Sequence, residues 1–135
     1  MALIRVESPR IEKLRPLAIV DEEIRRGEKV AAFGYPGGTR RGRGLKLTRG
    51  IVSSLPEQTN NGMLLLDCRV NPGNSGGPLL NTNGEVIGMN TFKKTKSEGL
   101  NFAVSIIDIL QQLKVARPST QLQQGLNACG NRFST

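Results

Sequence analysis

The sequence predicts an all-β fold, an antiparallel barrel or sandwich of about six or seven short strands with one terminal helix. Three observations predict it. Short apolar runs recur at regular spacing, each stopped by a turn rich in Gly, Pro or Asn. Glycine is frequent, at 16 residues, whereas aromatics make up 4% and Trp is absent. One segment near the end carries helix-start chemistry. At 135 residues the chain suits one domain.

Taken in order, Met1 to Val6 alternates apolar with other residues and reads as a strand. Ile11 to Arg26 holds Pro16 and an acidic–basic cluster, and reads as a surface connection with one helical turn, closed by Gly27. Lys29 to Tyr35 is a strand stopped by Pro36-Gly37-Gly38. A basic glycine-rich loop follows. Leu45 to Ser54 is a strand with Gly50 in its interior, the mark of a bulge or a close backbone approach. Pro56 to Asn61 is a polar turn, and Gly62 to Cys68 is a continuous apolar run that suits a buried strand. Pro78-Leu79-Leu80 and Val86 to Phe92 flank Asn83-Gly84, a strong hairpin signal. Lys93 to Glu98 is a charged turn, and Leu100 to Val104 is the last strand. Ser105 with Asp108 three residues on reads as an N-cap opening a helix through Lys114. The expected domain is 1–116, and residues 117–135 read as a flexible polar tail.

Composition narrows the function. No apolar run approaches the ~20 residues that span a bilayer. Met1 to Glu7 is too short and too soon charged for a signal peptide, so no export signal is expected in these residues and localisation stays open. Cys68 lies in an apolar run and Cys129 in the polar tail, and both read as free thiols. Neither has metal-ligand spacing and no histidine is present, so no metal site and no cofactor are expected. The net charge is +8, concentrated in Arg40 to Lys46 with Arg49, and in Lys93, Lys94 and Lys96. No aromatics interleave with these groups, so they read as solvated loops, and nucleic acid is not an expected partner.

The chemistry centres on Asn71-Pro72-Gly73-Asn74-Ser75-Gly76-Gly77-Pro78-Leu79-Leu80. Ser75, set between glycines before an apolar run, reads as a nucleophile on a tight turn. Backbone N–H groups of Gly73 and Ser75 would serve as oxyanion donors, and Gly76 and Gly77 leave room for a substrate backbone. The same residues also read as a plain β-turn. A serine hydroxyl needs a base, usually histidine, and this chain contains none.

The run Asp67 to Asn81, followed by Gly84-Glu85-Val86-Ile87-Gly88-Met89-Asn90-Thr91, resembles the trypsin-like serine proteases, most nearly the HtrA (Deg) type. Gly27 to Pro36, Thr48-Arg49-Gly50-Ile51-Val52-Ser53 and Gly99 to Val104 match the same family in the same order. The resemblance covers roughly residues 1 to 114. It implies one six-stranded antiparallel β-barrel with a C-terminal helix, the second half of a two-barrel fold. In that family the histidine and aspartate of the triad belong to the first barrel and the serine to the second. Met1-Ala2-Leu3-Ile4-Arg5-Val6 looks like the run that follows the triad aspartate. The expectation is therefore a serine-bearing barrel without its first barrel. By the same resemblance Thr91, Phe92 and Lys93 would pair with a substrate backbone, and Gly99 would form part of a pocket wall. Arg69, six residues before Ser75, would sit near the base of that pocket and disfavour a basic substrate residue, or else point to solvent. No peptide-binding PDZ domain is expected after the helix.

The functional expectation is a serine-type endopeptidase acting through Ser75 on polypeptide, inactive in this chain alone. Its partners would be a polypeptide substrate and a first barrel in cis or in trans, with self-association through the uncovered face. The competing reading is a non-catalytic barrel that binds a peptide or partner.

Overall fold

The computed structural model describes residue 7 and residues 10–20, 22–35, 44–70, 73–91 and 100–116. Six strands close into a barrel: β1 (Lys29–Gly34), β2 (Lys46–Ser54), β3 (Leu64–Leu66), β4 (Pro78–Leu80), β5 (Val86–Thr91) and β6 (Asn101–Ser105), in the spatial order β1-β2-β3-β6-β5-β4. Every neighbouring pair is antiparallel. The expected all-β barrel is thus what forms.

The strands form because alternate residues find the same interior. In β1, Val30, Ala32 and Gly34 are buried, while Ala31 and Phe33 are half-exposed. Val52, Leu64, Leu66, Leu79 and Ile87 come from four other strands and fill the centre. Each such side chain contributes about 1.5–3 kcal/mol of burial.

Gly50 marks a close approach, as its place in a strand suggested. A Cβ there would collide with Asp67 Oδ1 and lie 2.6 Å from Cys68 Cβ. The space lets Asp67 turn back and accept the Ile51 N–H at 2.6 Å, next to a register shift between β2 and β3.

Helix α1 (Ile106–Ala116) starts where the cap chemistry placed it. Ser105 Oγ accepts the Ile107 N–H at 3.2 Å, and Ile106 and Ile109 are buried. The helix packs on β5 and β6. No helix among the described residues is long and apolar enough to cross a membrane.

Two features add detail beyond the sequence reading. Pro56–Gln58, expected as a turn, is a 3₁₀ turn whose Gln58 side chain accepts the Leu55 N–H at 3.1 Å. Ile19 makes a parallel bridge to Val86, with Val86 N–H donating to Ala18 O at 2.8 Å and Val20 N–H to Val86 O at 3.1 Å. The expected helical turn in the connection is Ile11–Lys13. The expected strand Met1 to Val6, most of the basic loop, the Lys93 to Glu98 turn and the 117–135 tail lie outside the described residues.

Candidate active site

The serine loop leads from β3 into β4, and backbone hydrogen bonds tie it to β5. Gly77 N–H donates to Asn74 O at 2.9 Å, closing a four-residue turn with Ser75 and Gly76 at its centre. Gly76 has φ 82, the conformation glycine supplies at the third position of such a turn. Gly76 N–H donates to Asn90 O at 2.8 Å, and Asn90 N–H donates to Gly77 O at 2.9 Å. Ser75 is exposed at the tip, directly after a buried Asn74. Gly73, just upstream, has φ 100.

Two buried asparagines underlie this loop, each 1% exposed. Asn74 occupies the space that Gly34 leaves empty: a Cβ at Gly34 would lie 2.5 Å from both its Cα and its Oδ1. Asn90 Nδ2 donates to Phe33 O at 3.2 Å and to Pro78 O at 3.1 Å. The Oδ1 atoms of both residues are buried without a hydrogen-bond partner. Neither residue was singled out from the sequence. For Asn90 the available signal was a polar residue at a core-facing position of an apolar strand, where side chains are normally hydrophobic unless they have a task; Asn74, in the loop, carried none.

Ser75 and Thr91 line one cleft of about 1020 Å³ on the outer side of β5 and β6, floored by Met63, Met89 and Val104. Glu57 and Asp108 also line it, and no lysine or arginine does so among the described residues. Arg69 is exposed and does not line this cleft; its carbonyl accepts the Thr48 Oγ1–H at 2.8 Å. The neighbouring Val70 is buried, and its N–H donates to Asn101 Oδ1 at 2.9 Å. Phe92, Lys93 and Gly99 lie outside the described residues.

On the other flank of the loop, Leu17, Tyr35, Leu45, Gly73 and Pro78 line an almost wholly apolar hollow of about 460 Å³. Tyr35 and Leu45 are exposed there. Among the described residues, no group of three or more Cys, Asp or Glu is placed to hold a metal ion. Cys68 is a buried free thiol whose pKa is pushed up to about 11, first by burial and then by the charge of Asp67. Such a thiol is protonated and unreactive at neutral pH.

The site therefore offers an exposed serine on a hydrogen-bonded turn, beside a cleft and an apolar flank, in a chain without histidine. Comparison with known proteins places this arrangement. Residues 1–89 match the family described as trypsin-like peptidase domain. The chain is 44% identical over 103 residues to the probable periplasmic serine endoprotease DegP-like of Pseudomonas putida (strain W619), covering 69% of this chain and 21% of that one. It is 35% identical over 141 residues to the serine protease Do-like HtrB of Bacillus subtilis (strain 168), covering 91% of this chain and 30% of that one. A solved structure of the serine endoprotease from Yersinia pestis superposes with a TM-score of 0.58 at 32% identity, over 70% of this chain and 33% of that chain. The chain thus spans less than a third of the length of these two curated relatives. It belongs to the trypsin-like serine proteases of the HtrA type.

Proposed function

We propose that this chain supplies the serine-bearing barrel of a serine endopeptidase, with Ser75 as the acyl-enzyme nucleophile. The observation that carries this reading is the exposed Ser75 on a turn whose flanking residues are buried or bonded to β5. A serine exposed on a turn held this way is accessible to a substrate carbonyl without rearrangement of the loop.

The base comes from outside these 135 residues, because they contain no histidine. A His- and Asp-bearing barrel seated on the apolar flank at Leu17, Tyr35 and Leu45 would bring an imidazole to Ser75. The imidazole takes the Oγ proton as Oγ attacks the scissile carbonyl carbon. The N–H groups of Gly73 and Ser75 receive the oxyanion. Collapse expels the amine, which takes the proton from the imidazolium, and water then hydrolyses the ester by the same route. An extended polypeptide would pair with Thr91, Phe92 and Lys93, with Gly99 bounding the pocket for the residue before the cut. Glu57 and Asp108 favour a cationic side chain where the substrate crosses the cleft.

The absence of histidine supports a second reading, a barrel that binds a peptide without cutting it. Two assays separate them. Unfolded casein should survive incubation with the chain alone, and turnover abolished by Ser75→Ala would reveal a base within it. A fluorophosphonate probe should label Ser75 once a His-bearing first barrel from a relative is fused ahead of the chain. A well-folded fusion that stays unlabelled would establish the binding module instead.

A further inference from the structure

We propose that Asn90 is a positioning residue for the nucleophile, a side-chain clamp that closes the barrel where its backbone ladder fails. The inference rests on Ser75 being the nucleophile, but its structural half stands without that.

The β1–β4 pairing consists of Ala31↔Leu80 and Ala32↔Leu79. One more step in this register sets Phe33 opposite Pro78, which has no N–H to give. Gly77 sits tightly beneath the same place, since a Cβ there would collide with the Phe33 carbonyl oxygen. The ladder therefore stops one residue short of the serine loop. Asn90 reaches in from β5 and gives its two Nδ2 protons to Phe33 O and Pro78 O. Its backbone meanwhile takes the Gly76 N–H and gives its own N–H to Gly77 O. Four hydrogen bonds from one residue thus hold Gly76, Gly77 and Pro78, the three residues after Ser75, and join them to β1.

The amide must be an amide. Both targets are carbonyl oxygens, so only a group with two donors satisfies them, and a carboxylate would face two acceptors. Asn90 Oδ1 is left buried without a partner, a cost consistent with an orientation fixed by the donor side. Letting the loop drift matters for chemistry because a displacement of about 1 Å costs ~100-fold in rate.

The test uses Asn90→Asp, nearly isosteric, and Asn90→Ala. On the chain itself, hydrogen exchange of the Gly76 and Gly77 amides should rise by ~10-fold or more in both variants, while amides of the β3–β6 ladder keep their protection. In the fusion carrying the first barrel, fluorophosphonate labelling of Ser75 should fall ~10- to 100-fold at pH about 8. Two facing carbonyls and burial favour a protonated Asp, which regains one donor. The labelling ratio of Asn90→Asp to wild type should therefore climb as pH falls from about 9 to about 6, whereas that of Asn90→Ala stays flat. A residue that merely supports the fold would not produce that difference. If Asn90→Asp does not fold, Asn90→Ser, with one donor in place of two, should show an intermediate loss of Gly76 protection. Unchanged Gly76 and Gly77 protection, or a rise spread evenly over the barrel, would overturn the clamp. An unlabelled wild-type fusion would sink the nucleophile assignment alone, with the exchange result still deciding the clamp.

Discussion

The barrel has two seams where strands distant in sequence meet, and they are closed by different means. At β3–β6 the backbone does the closing: Leu64↔Ala103, Leu65↔Phe102 and Leu66↔Asn101 pair in register, with Leu64, Leu66 and Ala103 buried behind them. At β1–β4 only two pairs form before Pro78 ends the ladder and the Asn90 amide takes over. Gly34 and Gly77 have no side chains there, so backbone and the Asn74 side chain fill the space. The first seam has the ordinary physics of an apolar core. The second keeps Ala32 and Leu79 buried but has no ladder pairing beyond them, where the loop bearing the exposed Ser75 begins. The contrast separates a seam closed by its backbone ladder from one closed partly by a side-chain amide beside the serine loop.

The comparison is tested most strongly at the first seam. Leu64 is 0% exposed and packs at the centre of the core cluster. Leu64→Ala is expected to cost about 3–4 kcal/mol, from lost burial plus the cavity left behind. Denaturant unfolding should show a lower midpoint, and exchange protection should fall at both seams together, because the core is shared. Protection lost at β3–β6 alone would mean that the seams are independent units.

Gly77→Ala probes the second seam with a smaller effect. The new Cβ meets a backbone carbonyl, Phe33 O, and Asn74 O at 3.0 Å, neither of which can rotate aside. Overpacking of this kind is expected to cost about 2–3 kcal/mol. Here the protection of the amides pairing β1 with β4 should fall first, ahead of the global melt. A neutral substitution would show that the two strands are not held as closely as described.

Much of this was readable from residue order, but unevenly. The strands of the hairpin, the capped helix and the glycine-marked approach at Gly50 follow from local rules: turn residues, cap spacing and strand alternation. So did the position of Ser75 on an exposed turn. The clamp was not readable, because Asn90 acts on Phe33 and Pro78 through a closure that pairs residues 57 and 12 positions away. Sequence spacing carries no trace of such a contact. The parallel bridge at Ile19 escaped for the same reason. Counting back six residues from Ser75 leaves Arg69 between the pocket base and solvent, because spacing alone does not say which way a side chain faces; with Cys68 and Val70 buried on either side, Arg69 is exposed. Its buried neighbour Val70, held by Asn101, is the residue that faces inward.

The smallest expected effect concerns pH and again separates the seams. Cys68 lies just past β3, buried against Gly50 of β2, and its thiol is pushed up to about 11 from 9.0 by burial and by Asp67. A pKa raised on folding means that the folded chain holds this proton more tightly than the unfolded one does. The resulting stability is fully present below the unfolded value of 9.0 and is lost as pH rises through about 11. Denaturation midpoints should therefore decline more steeply in that window for the wild type than for Cys68→Ala, which has no thiol to ionise. Every other group is common to both proteins, so the difference between the two curves isolates Cys68. Exchange at the β2–β3 contact should loosen before that at β1–β4, since the developing thiolate is buried on the β2–β3 side. Parallel curves for the two proteins would show that the thiol reaches water without disturbing the barrel wall.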